Sequence, residues 1–366
     1  MSSKSSTTST GIACWPERAL AALLVWSCLA AAPCCLAEDR ATALIAFARF
    51  DGFSRTVAGQ ETVLVSPELD AGFAWDELIV SWNVATNVAL AVEARGFLEG
   101  RPTRWYGLGR WSADPSEAPR TSPDNQRDAD GSVATDTLVL MSPARRAQVR
   151  LTVRGPGAGL KFLALSFTGT HAVGVPDMPD RAAWGRTNDV PIRSQAEYPE
   201  GVQSWCSPAS TSMLLAFWAR ELGRPDLDID VRRVAAGVHD TGWPGTGNWP
   251  FNMAFAGARP GLRACVARFD GLSGLEAWTK RGLPVAISVS YAMLKGAPRP
   301  EPGDGHLVVV CGFTPDGDVV IADPGVRRER VRRVFPRSDV ARAWATSRRT
   351  AYLTWPEDRS VPLDVR

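Results

Sequence analysis

The chain has 366 residues, 45% apolar and 22% charged, with 41 basic and 39 acidic side chains and a formal net charge of +2. That mixture is ordinary for a globular protein, too long for one hydrophobic core, and it argues against disorder and against a membrane bundle. No basic tract is dense enough to form a phosphate-binding stripe, so nucleic acid is not an expected partner.

Residues 1–37 have the anatomy of an export signal. A Ser/Thr-rich leader and Arg18 precede an apolar run from Ala19 to Ala32, shorter than the roughly 20 residues a spanning helix needs. Cys35-Leu36-Ala37 ends in small residues suited to cleavage before Glu38. The protein is expected to be secreted or held in the cell envelope, with no stable membrane insertion after cleavage. The alternatives are an uncleaved anchor or a lipoprotein. With the leader removed, Cys206, Cys265 and Cys311 remain, an odd number, so at least one thiol stays without an intrachain partner. Cys265 and Cys311 are either bridged or buried as small apolar residues.

From residue 38 to 172 short alternating runs are broken by turn residues, among them Glu77 to Asn83, Val88 to Arg95, Thr135 to Met141, Gln148 to Arg154 and Leu160 to Thr168. Alternation of this kind marks half-buried strands, and seven or eight of them predict an all-β sandwich or jelly-roll-like domain. Ser112 to Gly131, with Pro115, Pro119 and Pro123, is expected to be a long surface loop. Trp75, Trp82, Trp105, Tyr106 and Trp111 are either core or a binding platform, and core is expected because large apolar side chains are mostly buried. Asp124 to Gly131 has the alternating oxygens of a calcium loop but lacks the closing glutamate, so a solvated turn is expected there. A Pro/Asp/Gly-rich linker covers 173–189, and the second domain runs over 190–366.

Two segments of that domain carry chemistry. After Cys206, Met213, Leu214, Phe217 and Trp218 recur at helical spacing, and Pro208 suits a first helical turn. Cys206 is therefore expected at a helix N-terminus, where the dipole and free N–H groups favour thiolate. A buried, inert cysteine is the alternative. Further on, two β-branched runs flank Pro315-Asp316-Gly317, a strong hairpin signal. Folding about that turn brings His306, at the start of one strand, beside Asp323, at the end of the other. A carboxylate next to an imidazole fixes its tautomer and supports the imidazolium. His171 and His239 have no such placement.

The helix from Cys206 to Trp218, the Gly305-His306 strand and the hairpin ending Asp323-Pro324 resemble the C39-like branch of the cysteine peptidases. Val190 to Gln195 and Gly245 to Asn252 extend the similarity to roughly 190–355. The resemblance implies a papain-like α+β fold, a Cys206-His306-Asp323 triad, no cofactor, and a glutamine that donates to the oxyanion. Gln195 matches that position, with Gln203 the competitor. Ser207 departs from the glycine that many members carry after the cysteine. Candidate substrate contacts are Trp205, Gly305, Asn248 and Trp249, the last two in a segment expected to wall the cleft or to cap the domain. No metal-ligand spacing is present. The expected function is hydrolysis of a peptide or amide bond in a peptide or protein, cell-wall peptide included, through an acyl-enzyme. The alternatives are an acyltransferase or amidase with the same triad, or a secreted binding protein whose papain-like part is inactive.

Overall fold

A computed structural model describes residues 41–116, 118–155, 159–172 and 176–366. The export signal expected over 1–37 lies outside them. Residues 42–168 form strands β1 (Thr42–Phe47), β2 (Ser54–Ala58), β3 (Glu61–Val65), β4 (Leu69–Val84), β5 (Ala89–Leu98), β6 (Arg101–Pro102), β7 (Tyr106–Trp111), β8 (Gly131–Ala134), β9 (Thr137–Arg154) and β10 (Leu160–Thr168). The alternation that predicted them is plain in β5, where every second side chain is buried. The expected all-β domain is present. β9 carries β8 and β4 on its first part and β3 and β5 on its second, so the strands join one continuous antiparallel network. Register shifts around Trp75 in β4 let this long strand bend, and the sheet curls instead of splitting into two.

Trp75, Trp82, Tyr106 and Trp111 are fully buried. Trp105 is half-buried under the guanidinium groups of Arg95 and Arg150, 4.4 and 4.6 Å from its ring. The aromatic crowd is thus core, with one ring covered by cations. In the polar loop, Asp128 accepts from the Tyr106 hydroxyl (2.6 Å) and from the N–H groups of Asp130 and Gly131, which closes a turn.

The second part is a six-stranded antiparallel sheet, built from β11 (Leu262–Arg268), β12 (Val285–Ser290), β13 (Gly305–Phe313), β14 (Val319–Ala322), β15 (Arg332–Phe335) and β16 (Thr350–Pro356). The spatial order is β11-β16-β12-β13-β14-β15. Its helices are α1 (Cys206–Glu221), α2 (Val231–Val238), α3 (Trp249–Gly257), α4 (Leu272–Thr279), α5 (Tyr291–Leu294) and α6 (Arg337–Ala345). Among the described residues no helix is long and apolar enough to cross a membrane. The connector is fastened: Asp177 accepts from the N–H groups of Leu272 and Ser273, and the Trp184 indole donates to Glu276 (2.7 Å).

β11 is an edge strand whose outward backbone groups need partners. They find them on the curled sheet. Asn83 of β4 accepts from the Ala264 N–H (3.0 Å) and donates to the Ala264 carbonyl (2.8 Å), while Ser81 accepts from Val266 N–H (3.1 Å) and Ser166 from Arg268 N–H (3.0 Å). Arg268 then ends the strand in an ion pair with Glu77. Side chains of β4 and β10 thereby meet every second N–H of β11 from Ala264 to Arg268, in place of a missing neighbouring strand. Phe251 of α3 completes the junction against Trp82 and Trp111.

Candidate active site

α1 starts at Cys206, with Trp205 as its N-cap and no side-chain cap, so the first-turn N–H groups stay available near the sulfur. The helix is buried on nearly all sides. Its polar residues are therefore paired: Ser210 donates to the Leu307 carbonyl (3.1 Å), Thr211 bonds Asn252, Ser212 bonds the Ile229 carbonyl and Ser207 meets the Tyr352 hydroxyl at 2.8 Å. The Ser210 bond seats α1 on β13 next to His306. The side chain of Ser207, which departs from the family glycine, points into the core and is satisfied there.

β13 and β14 form the hairpin about Pro315-Asp316-Gly317, with Val309 opposite Ala322 and a bulge at Cys311. His306 lies at the open end, and its Nε2 is 2.8 Å from Asp323 Oδ1. Gly325 makes this approach possible, since a Cβ there would fall 2.8 Å from the ring's Cε1. The Gly325 N–H donates to Oδ1 (2.9 Å), the Tyr291 hydroxyl to Oδ2 (3.1 Å), and Arg333 lies 3.3 Å from Oδ2. Asp323 is fully buried and surrounded by donors. Burial alone would push its carboxyl up, but the bonds from His306, Gly325 and Tyr291 outweigh that and hold it below its ordinary value.

Cys206 and His306 are neighbours that shift each other's ionisation. Burial pushes the Cys206 thiol up, and the imidazolium of His306 with the N–H groups of Leu307 and Ser207 more than reverses this, so the thiol ends below its ordinary value. Burial likewise pushes His306 down, yet Asp323 and Cys206 carry it up to about 9. Each group stabilises the charged form of the other, which is the condition for a thiolate–imidazolium pair. Cys265 and Cys311 are buried free thiols with no such partner. Burial raises both, Cys311 to about 11.

Gln195 is tied to the same turn: its N–H donates to the Pro324 carbonyl (2.9 Å), and the Ser194 hydroxyl donates to the Val326 carbonyl (2.6 Å). Its Nε2 donates one proton to the Val202 carbonyl (2.8 Å), which orients the buried amide and leaves the second proton free, while Oε1 has no partner. Gln203 is exposed on the turn before Cys206. Both glutamines, Gly305 and His306 line one cleft of about 580 Å³, with Tyr291, Lys295 and Asp304.

The other expected substrate contacts lie elsewhere. Trp205 packs on Tyr198 (5.8 Å between rings) and down onto Gly201, where a Cβ would collide with the indole. Asn248 is buried as the N-cap of α3, accepting from Phe251 N–H (3.1 Å) and donating to Asp240 (2.9 Å). Trp249 opens α3 and lines a separate cavity of about 340 Å³ with Asp136, Trp243 and Arg268. Phe251, in the same segment, is fully buried. The segment expected either to wall the cleft or to cap the domain is the capped start of a helix. Sequence reasoning missed Tyr291 and Arg333, which strand pairing brings to Asp323, and Gly325, which reaches it locally from two residues on. Among the described residues no cluster of His, Cys, Asp and Glu could hold a metal ion.

A thiol at a helix head, beside an imidazole that a buried carboxylate orients, suits thiol-nucleophile chemistry. Comparison with known proteins agrees in class. Residues 187–352 match the Peptidase_C39 like family and residues 50–164 match the Peptidase C39 N-terminal domain. The resemblance read from the sequence therefore holds, and it extends to the curled β domain. Among curated proteins none matches the chain. One solved structure, described as a C39-like peptidase from Bacillus anthracis, is 18% identical; the match covers 47% of this chain and 96% of that one, with a TM-score of 0.35.

Proposed function

We propose that this protein is an exported cysteine peptidase of papain-like arrangement that cleaves a peptide or amide bond through Cys206, His306 and Asp323. The family matches support a peptidase-type activity. The observation that carries the mechanism is the pairing of His306 with the buried Asp323, 2.8 Å apart, beside a Cys206 thiol whose charged form His306 favours. The Cys206 thiolate attacks the carbonyl carbon, and the oxyanion is met by the Cys206 N–H and the free Gln195 amide proton. The His306 imidazolium gives its proton to the departing amine, leaving a thioester on Cys206. Water then attacks the thioester while His306 takes its proton, and the acid leaves as the thiolate returns. Asp323, held by Tyr291, Arg333 and Gly325, keeps Nε2 protonated throughout.

Export rests on the leader sequence alone, and a mature N-terminus at Glu38 is its expected signature. The activity is tested with a peptide library, cell-wall peptides included, followed by mass spectrometry. Wild-type protein is expected to release fragments and to show a transient acyl adduct on Cys206, and Cys206→Ala is expected to do neither. Equal cleavage by Cys206→Ala would remove the proposal.

A further inference from the structure

We propose that Lys295 is a specificity residue of this cleft, selecting substrates that present a carboxylate on the leaving-group side of the scissile bond. This builds on the peptidase reading above. The imidazole must protonate the departing amine, so the chain that follows the scissile bond runs past His306. On that side the cleft is formed by Tyr291, Lys295, Glu301, Gly303 and Gly305.

The Lys295 ammonium lies 4.1 Å from the centroid of the Tyr291 ring, and that ring is 4.3 Å from the ring of His306. Tyr291 is itself fixed by its bond to Asp323. Cation–π attraction thus holds a positive charge one ring away from the catalytic imidazole. The Lys295 N–H closes the end of α5 onto the Tyr291 and Ala292 carbonyls, at 3.2 and 3.1 Å, so the residue's backbone is anchored. No ion pair to Lys295 occurs among the described residues.

The acidic neighbours are not equivalent to a partner. Asp304 accepts from the Ser290 hydroxyl (2.5 Å) and from the N–H groups of Ala292 and Glu301, all at Oδ2, so that oxygen builds the cleft wall. Glu301 is exposed in the same cleft and opposes an incoming anion. The ammonium therefore has room for a carboxylate, with Glu301 and Asp304 weakening the selection.

The test uses three versions of a peptide that the protein cleaves, with Glu, Gln or Lys at the second position after the scissile bond. For wild type, kcat/KM is expected to favour Glu over Gln by about five-fold, the scale of a partly exposed charge pair. Lys295→Gln should abolish that ratio, Lys295→Arg should keep it and Glu301→Gln should raise it. A second arm needs no turnover: leaving-group fragments ending in Glu amide or Gln amide are tested for protection of Cys206 from iodoacetamide. Carboxylate-dependent protection that vanishes in Lys295→Gln supports Lys295 even if no peptide is hydrolysed, and in that case only the peptidase reading fails. A ratio unchanged in Lys295→Gln, or protection indifferent to the carboxylate, overturns the proposal.

Discussion

His306 presents Nε2 to Asp323 Oδ1 at 2.8 Å, which leaves Nδ1 as the nitrogen for the Cys206 sulfur. The tautomer and the ring orientation are therefore set from behind the imidazole, before any substrate arrives. Everything predicted for the site follows from that fixed order of thiol, ring and carboxylate.

The pH dependence has a definite sign. Activity is expected to rise as Cys206 ionises, below the ordinary thiol range, and to fall as His306 loses its proton near 9. The same shifts act on stability. His306, raised on folding, contributes fully below its unfolded value of about 6.5, and that contribution is lost as pH rises through about 9. Cys206, depressed on folding, contributes above its unfolded value and loses that contribution as pH falls through its folded one. Thermal unfolding of wild type and His306→Ala across this range checks it: the alkaline loss should be weaker in the variant.

Support of Asp323 is graded. Tyr291→Phe removes one hydrogen bond and leaves Arg333 and Gly325 in place, so a loss of about five-fold in kcat/KM is expected, equivalent to about 1 kcal/mol. Asp323→Ala leaves the buried imidazolium without its anion. It should lower the alkaline limb of the pH profile and destabilise the fold by roughly 3 kcal/mol or more. An unchanged pH profile in Asp323→Ala would contradict the assigned role.

The two glutamines should separate cleanly. Gln195 is buried and oriented by Val202, whereas Gln203 is exposed. Gln195→Ala is expected to cost about 10²–10³ in kcat with little change in KM, and Gln203→Ala less than about ten-fold. The reverse ranking would move the oxyanion donor to Gln203.

The junction between the two sheets makes a stability prediction. Asn83→Ala strips both partners from the Ala264 peptide, at a cost of about 2–3 kcal/mol measurable by urea unfolding. Residues 187–366 produced alone would expose the β11 edge and are expected to aggregate. A monomeric, well-folded fragment would contradict the edge-capping account.

How much of this was legible in the sequence depended on whether the signal was local. Pro208 at a first turn marked the start of α1, and Pro315-Asp316-Gly317 marked the hairpin that carries His306 towards Asp323. Both are short-range signals with a backbone cause. Tyr291 and Arg333 were illegible because they arrive through pairing of distant strands: Ser290 opposite Gly305, and Ile321 opposite Arg333. Gly325, two residues after Asp323, was local but its closeness to the His306 ring was not. Asn248 was misread although a local signal existed, since an asparagine followed by Trp249-Pro250 is an N-cap ahead of a proline in the first turn. The curled sheet was hidden for another reason. Alternation reveals a strand's two faces, but not that β9 serves four neighbours along its length.

The central claim, a thiolate at the head of α1 sustained by His306, is tested most directly by the pH profile of iodoacetamide alkylation at Cys206, read by mass spectrometry in wild type and His306→Ala. The account predicts rapid wild-type labelling well below the ionisation range of a free thiol, a shift to higher pH in the variant, and no labelling of Cys265 or Cys311 without denaturant. A Cys206 profile that follows a free model thiol and is indifferent to His306→Ala would contradict it.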